Sequence, residues 1–237
     1  MERFHRRIQE KSINPWEPPV LMVAFGDSVT QGMTAFGEQT HDGVYHARLK
    51  RLLEARYRLG TFSVINAGVS GQTASGALSL VDRDVIRFQP DLTLVAFGLN
   101  DAWNGTGGLQ MFVDAMNTIV SRLRSETESD VVLLTPNFMN IRVPNDATGE
   151  DRSAFQASAS LQNDGVLSLY AQAVRDVARD HNVPCADVYR AWEDLAARGE
   201  NTDSMLSNGM NHPTPDAHTI PAELLMRVVT ATDAALI

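Results

Sequence analysis

Four short runs in this chain are almost wholly apolar: Val20–Phe25, Phe62–Asn66, Leu92–Phe97 and Val131–Thr135. Strands that lack polar alternation must be covered on both faces, which is the condition of a parallel sheet sandwiched between helices. Chain breakers bracket them. Pro18 and Pro19 precede the first run and Gly26 follows it, Pro90 and Gly98 flank the third, and Pro136 ends the fourth. A fifth run, Val183–Val188, contains Pro184 and fits only at a sheet edge. Cys185 inside it reads as a small buried hydrophobe.

The stretches between these runs carry helical periodicity. Tyr45, Leu49, Leu52 and Leu53 share one face of a segment covering about 44–58. Phe112, Met116, Ile119, Val120 and Leu123 form a cleaner stripe. Val166, Leu169, Tyr170, Ala173, Val174 and Val177 form a third, and Leu224, Leu225, Val228 and Val229 a fourth, with Pro221 near its start. Strand and helix in alternation predict an α/β chain: a three-layer α/β/α sandwich around a doubly wound parallel five-stranded sheet. With no internal repeat or linker, residues 1–237 read as one domain. Residues 1–18 are expected to be an N-terminal extension, and 138–164, mostly small and polar, a long loop or insertion. The latter is either a lid or binding loop, or a surface excursion with a short helix around Ser153–Ser160.

Composition narrows the function classes. Lys and Arg total 20 against 29 Asp and Glu, a net charge of −9, so the basic footprint of nucleic-acid or anionic-membrane binding is absent. No apolar run approaches the roughly 18–20 residues of a spanning helix. The first residues, MERFHRRIQEKSINPWEPP, begin basic but lack the apolar stretch of a signal peptide, so a cytoplasmic location is expected. One cysteine cannot build a disulfide framework or a cysteine zinc site. His41, His46, His212 and His218 show no metal-ligand spacing, and no Walker or GxGxxG pattern follows the first strand, so neither a metal nor another cofactor is expected. Homo-oligomerisation stays open.

In a doubly wound sheet, ligands bind at the carboxyl ends of the strands. The residues there are Gly26-Asp27-Ser28-Val29-Thr30-Gln31-Gly32 after the first run, Asn66 to Thr73 after the second and Gly98-Leu99-Asn100-Asp101 after the third. A further cluster, Asn208-Gly209-Met210-Asn211-His212-Pro213, precedes the last helix. Each alone reads as turn chemistry. Their order and common placement carry more weight.

Together they resemble the GDSL-type, or SGNH, hydrolases, a family of esterases, lipases, thioesterases and carbohydrate deacetylases on a flavodoxin-like α/β/α fold. Gly26-Asp27-Ser28 with Gly32 matches the family's nucleophile block, Asn66–Gly71 its second, Gly98–Asp101 its third and His212-Pro213 its last, so the resemblance spans Met22 to about His218. It implies that Ser28 is the nucleophile and His212 its base, a role suited to a group titrating near neutrality. It also implies an oxyanion hole made by the Ser28 N–H, the Gly71 N–H and the Asn100 side-chain amide. Asp27 and Asp101 read as shapers of their loops.

The pattern breaks at one place. Many members carry an aspartate three residues before the histidine; here that residue is Gly209, preceded by Asn208. Three readings follow. A dyad operates, with a backbone carbonyl or Asn208 orienting His212; Asp203 folds back as the acid; or catalysis is impaired. The first is preferred over Asp203. Trp103 is placed to line the substrate cleft or simply to pack, and Met33 and Phe36 to wall an acyl pocket or the core. The expected function is a serine esterase acting through an acyl-enzyme on a small acyl group, acetyl being the leading choice, of a carbohydrate or other small alcohol. The alternatives are a thioesterase, lysophospholipase or lipase on the same machinery, and a non-catalytic relative that binds an ester or sugar.

Overall fold

The structure is a computed structural model and describes residues 1–35 and 37–231. Five strands form one sheet: β1 (Val20–Gly26), β2 (Phe62–Gly68), β3 (Leu92–Ala96), β4 (Asp130–Leu134) and β5 (Cys185–Ala186). Every pairing is parallel, in the order β2-β1-β3-β4-β5. The first four strands are the apolar runs. Val23, Ala24, Leu94, Val95, Val132 and Leu133 are completely excluded from solvent, so successive residues on both faces of the sheet are covered. β5 is the short edge strand that Pro184 foretells, holding only two residues of its run.

Around the sheet run α1 (Glu2–Ile13), α2 (Ser28–Gln31), α3 (Tyr45–Arg56), α4 (Ala74–Ala77), α5 (Val81–Asp84), α6 (Leu109–Glu126), α7 (Gly149–Asn163), α8 (Val166–Asp180), α9 (Val188–Ala197) and α10 (Thr219–Thr230). α3 and α9 pack against α10, while α6 packs against α4 and α8. Residues 1–18, read as an N-terminal extension, are packed onto the domain: α1 sinks Phe4 and Ile8 into the main core, and the Phe4 N–H donates to Asp130 Oδ2 at 2.8 Å. Residues 138–164, read as a long loop or insertion, are not loop throughout. Their second half is the fifteen-residue α7, longer than the short helix expected there, which lies beside α8. The apolar face of α7 is narrow, with Ser158 and Ala159 its only buried residues, so its periodicity is faint in the sequence.

Register places the site. Gly26 lies opposite Gly68 on one side and Ala96 on the other, so the chain leaves β1, β2 and β3 at one level. β1 and β3 flank the point where strand order reverses, and there the loops after the two strands part to form a crevice. No helix among the described residues is long and apolar enough to cross a membrane.

Candidate active site

Ser28 begins α2 immediately after β1, with Asp27 as the cap. The Asp27 carboxylate accepts the Val29 N–H at 2.9 Å, satisfying one of the donors a helix start leaves open. This single turn is anchored from behind. Thr30 Oγ1 lies 3.0 Å from Tyr45 Oη, and the Thr30 carbonyl lies 3.0 Å from His46 Nε2. Gly32 ends the turn, and Met33 just beyond it pairs antiparallel with Gln39 in an isolated bridge. Phe36, the other suggested wall of an acyl pocket, lies outside the described residues.

His212 is held between these two segments. Its Nε2 lies 3.0 Å from Ser28 Oγ, and its Nδ1 lies 2.9 Å from the Thr34 carbonyl, two residues after Gly32. A carbonyl only accepts, so Nδ1 carries the proton and Nε2 presents its lone pair to the serine hydroxyl. That is the tautomer a general base needs, set here by backbone. Neither suggested acid partner reaches the ring. Asp203 instead accepts the Ile141 N–H at 2.7 Å and the Arg142 N–H at 3.1 Å, securing the chain that leads to α7. Asn208 spends its Oδ1 on the N–H groups of Met210, Asn211 and His212, at 3.0, 2.9 and 3.0 Å. It builds the turn that carries His212 and does not touch the imidazole. Thr34 was illegible beforehand, because a backbone carbonyl leaves no mark in side-chain chemistry.

The histidine turn is gripped from the far side as well. Asn137, just past β4, donates Nδ2 to the Asn211 carbonyl at 3.0 Å, and the Asn140 N–H donates to the Met210 carbonyl at 2.7 Å. Asn137 follows a strand end, so its position was a usable signal.

The candidate oxyanion donors lie on the neighbouring loops. Among the described residues, no protein acceptor takes the Ser28 or the Gly71 N–H. Gly71 has φ +74°, a left-handed conformation, and a Cβ there would meet nothing within 4 Å. Glycine is needed here for its backbone angle rather than for want of room. Asn100 directs Nδ2 to the Gln72 carbonyl at 3.0 Å, which ties the third loop to the second. Asp101 is buried and accepts the Ala74 N–H at 2.9 Å and the Gly98 N–H at 3.0 Å, a shaping role. Trp103 follows on a short 3₁₀ turn and is 42% exposed. A pocket of about 30 Å³ is lined by Asp27, Val29, Leu99 and Pro213 but by none of Ser28, Asn100 or His212. His46 and His218 are buried, and among the described residues no group of three His, Cys, Asp or Glu is placed to hold a metal ion.

A family model for GDSL-like lipases and acylhydrolases matches residues 24–220. The chain belongs to that family. It is similar to an acetylxylan esterase of Geobacillus stearothermophilus, 22% identical over 88% of this chain and 93% of that one. It also resembles an uncharacterized lipoprotein of Bacillus subtilis, 25% identical over 85% and 86% of the two chains. Among solved structures, a lipase/acylhydrolase from Enterococcus faecalis superposes with a TM-score of 0.70 at 24% identity, covering 89% of this chain and 95% of that one. As a member, this protein is a carboxylic-ester hydrolase.

The electrostatics of this GDSL-like hydrolase suit a neutral base. Burial lowers the His212 pKa from its ordinary 6.5, opposed in part by the Thr34 carbonyl. A carboxylate partner would act the other way. The base form is the neutral one, so kcat/KM is expected to rise with pH through a midpoint below 6.5 and to be flat at neutrality. An acid limb centred above 6.5 would contradict this.

Burial pushes the Asp27 carboxyl up to about 7, the negative charge of Asp101 adding to the effect, and burial pushes Asp101 up to about 6. The folded state therefore holds the Asp27 proton more tightly than the unfolded chain, which releases it near 3.8. Stability from this group is complete below pH 3.8 and is lost as pH rises through about 7. Asp27→Asn keeps an acceptor for the Val29 N–H and removes the titration. Its Tm relative to wild type should climb between pH 5 and 8; a Tm difference that is flat or falls would contradict the assignment.

Proposed function

We propose that this protein is a serine esterase that removes a small acyl group, acetyl in the first instance, from a carbohydrate or other small alcohol. The observation that carries the reading is the relay from Ser28 Oγ through His212 to the Thr34 carbonyl, 3.0 Å on one side and 2.9 Å on the other. A serine hydroxyl becomes an effective nucleophile when a positioned base takes its proton during attack. His212 Nε2 is in place to do so, and the Thr34 carbonyl holds the ring through the cycle.

Attack of Ser28 Oγ on the ester carbonyl carbon generates an oxyanion, for which the Ser28 N–H, the Gly71 N–H and Asn100 Nδ2 are the donors. Collapse expels the alcohol, which takes its proton from His212. Water then gives a proton to His212 as its oxygen adds to the acyl carbon, and collapse breaks the bond to Ser28 Oγ, which takes that proton back from His212 as the acid is released. The Thr34 carbonyl replaces an aspartate in holding the tautomer but brings no full negative charge to the imidazolium. In a protease, losing the aspartate costs about 10⁴-fold mainly because the wrong tautomer results. Here the tautomer is kept, so a working dyad is the better reading than a silent binder.

The small-acyl assignment draws support from the similarity to the acetylxylan esterase along nearly the full length of both chains. Its test is a series of p-nitrophenyl esters from acetate to laurate, run beside acetylated xylo-oligosaccharides with acetate release as the readout. The expected profile falls steeply beyond butyrate, with turnover of the acetylated sugar. A maximum at octanoate or longer would transfer the assignment to a lipase or lysophospholipase. Absence of turnover on every ester would favour the binding relative.

A further inference from the structure

We infer that Gln31 is a positioning residue that sets the oxyanion donors, by clipping the loop that carries Gly71 to the helix that carries Ser28. The inference rests on the serine-esterase reading and adds a residue to its machinery.

Gln31 ends α2, three residues after Ser28, and is half-buried. Its Oε1 accepts two hydrogen bonds from one residue of the loop after β2, the Ser70 N–H at 2.9 Å and the Ser70 hydroxyl at 2.7 Å. Ser70 directly precedes Gly71. The backbone of Gln31 engages the same loop, for its carbonyl accepts Asn66 Nδ2 at 3.1 Å. Asn66 in turn accepts the Gly68 N–H through Oδ1 at 3.0 Å. The two segments also touch without side chains between them: a Cβ on Gly68 would fall 2.2 Å from the Gln31 nitrogen. The loop after β2 therefore lies directly on α2, and the Gln31 amide pins its outer end.

The consequence reaches all three donors. Ser28 and Gln31 lie on one helical turn. Gln31 holds Ser70, Gly71 follows, and the next carbonyl, that of Gln72, accepts Asn100 Nδ2 at 3.0 Å. A continuous path thus joins the Ser28 N–H, the Gly71 N–H and the Asn100 amide. Such donors work because they are fixed before charge develops, and misplacement of about 1 Å can cost about 10²-fold. Ser70 and Gly71 are exposed in a turn closed by the Gln72 N–H on the Val69 carbonyl at 3.1 Å, and the Gln31 amide is what holds Ser70 itself. The acceptor must be an oxygen, because both bonds from Ser70 are donated to it. Gln31 does not touch the reacting atoms.

The test compares wild type with Gln31→Met, which keeps length and volume but removes the acceptor, and with Ser70→Ala, which removes only the hydroxyl bond. Activity is measured on p-nitrophenyl acetate, and affinity for a trifluoromethyl ketone analogue of the tetrahedral intermediate is measured alongside. Full loss of one oxyanion donor costs about 10²–10³ in kcat, so loosening one should cost Gln31→Met about 10-fold or more. KM should stay within about twofold, and analogue affinity should fall with kcat. Ser70→Ala should show a smaller loss of the same kind, and the double variant should be no slower than Gln31→Met.

The proposal is overturned if a folded Gln31→Met keeps kcat within twofold of wild type. It is equally overturned if kcat falls while analogue affinity is unchanged, or if KM rises as much as kcat falls. Should Gln31→Met fail to fold, Ser70→Ala alone decides by the same criteria, with a threshold of twofold in kcat. Failure of the esterase reading itself looks different: wild type would then be no faster than Ser28→Ala, before any Gln31 variant is considered.

Discussion

Ser28→Ala and His212→Ala should each lower kcat by about 10⁴–10⁶-fold, and the double variant should be no slower than the worse of the two. The two side chains act as one unit across 3.0 Å: a hydroxyl without a base scarcely attacks, and a base without a hydroxyl has nothing to activate. The residual rate belongs to the oxyanion donors and to substrate binding, which neither change removes. Steady-state hydrolysis of p-nitrophenyl acetate, corrected for the spontaneous reaction, checks this. Additive losses in the double variant would mean that the two groups work independently. Thermal stability should be little affected by Ser28→Ala, because no backbone support of α2 runs through the hydroxyl; its anchors are Asp27, Tyr45 and His46.

The second large effect is at Asn100. Asn100→Ala removes one of three donors while leaving the nucleophile and base in place. The expected loss is about 10²–10³-fold in kcat, or ~2.7–4 kcal/mol of barrier, with KM changed far less. The side chain is half-buried and makes its hydrogen bond to the Gln72 carbonyl rather than to the core, so the fold should survive. A variant with unchanged kcat and raised KM would place Asn100 in ground-state binding instead. The change should also cut affinity for the trifluoromethyl ketone in proportion, since the analogue's oxyanion occupies the same donors.

Much of the architecture was legible because the sheet is buried on both faces. Val20–Phe25 and Leu92–Phe97 are apolar without alternation and end at glycine, which leaves few alternatives to a buried parallel strand. The elements that escaped were those whose burial is thin or shared with charge. In α1 only Phe4 and Ile8 are buried apolar residues, and the rest of its inner face is Arg7 and Lys11, whose heads reach the Pro18 carbonyl and the Pro15 and Glu17 carbonyls. Composition alone cannot tell such a helix from a solvated tail. α9 begins two residues after β5, and Val188, read as the end of the fifth apolar run, is its first residue.

The site divides the same way. Ser28, Gly71, Asn100 and His212 could be named because each lies in a short block after a strand or before the last helix. A backbone carbonyl was among the readings for what orients His212, but which one could not be named, because it belongs to Thr34, 178 residues away in sequence. The candidates with suitable side chains, Asp203 and Asn208, proved to be committed to backbone N–H groups of their own surroundings. Gln31 was hidden for a related reason: its role shows only in the loop it holds.

The central claim is that Ser28 forms a covalent bond with the acyl group. The direct measurement is intact-protein and peptide mass spectrometry after incubation with a phosphonate ester that traps activated serines. One adduct per chain is predicted, on the peptide containing Ser28, with none on Ser28→Ala and slow or no labelling of His212→Ala. An unlabelled wild-type protein, or an adduct on another residue with Ser28 unmodified, would contradict it.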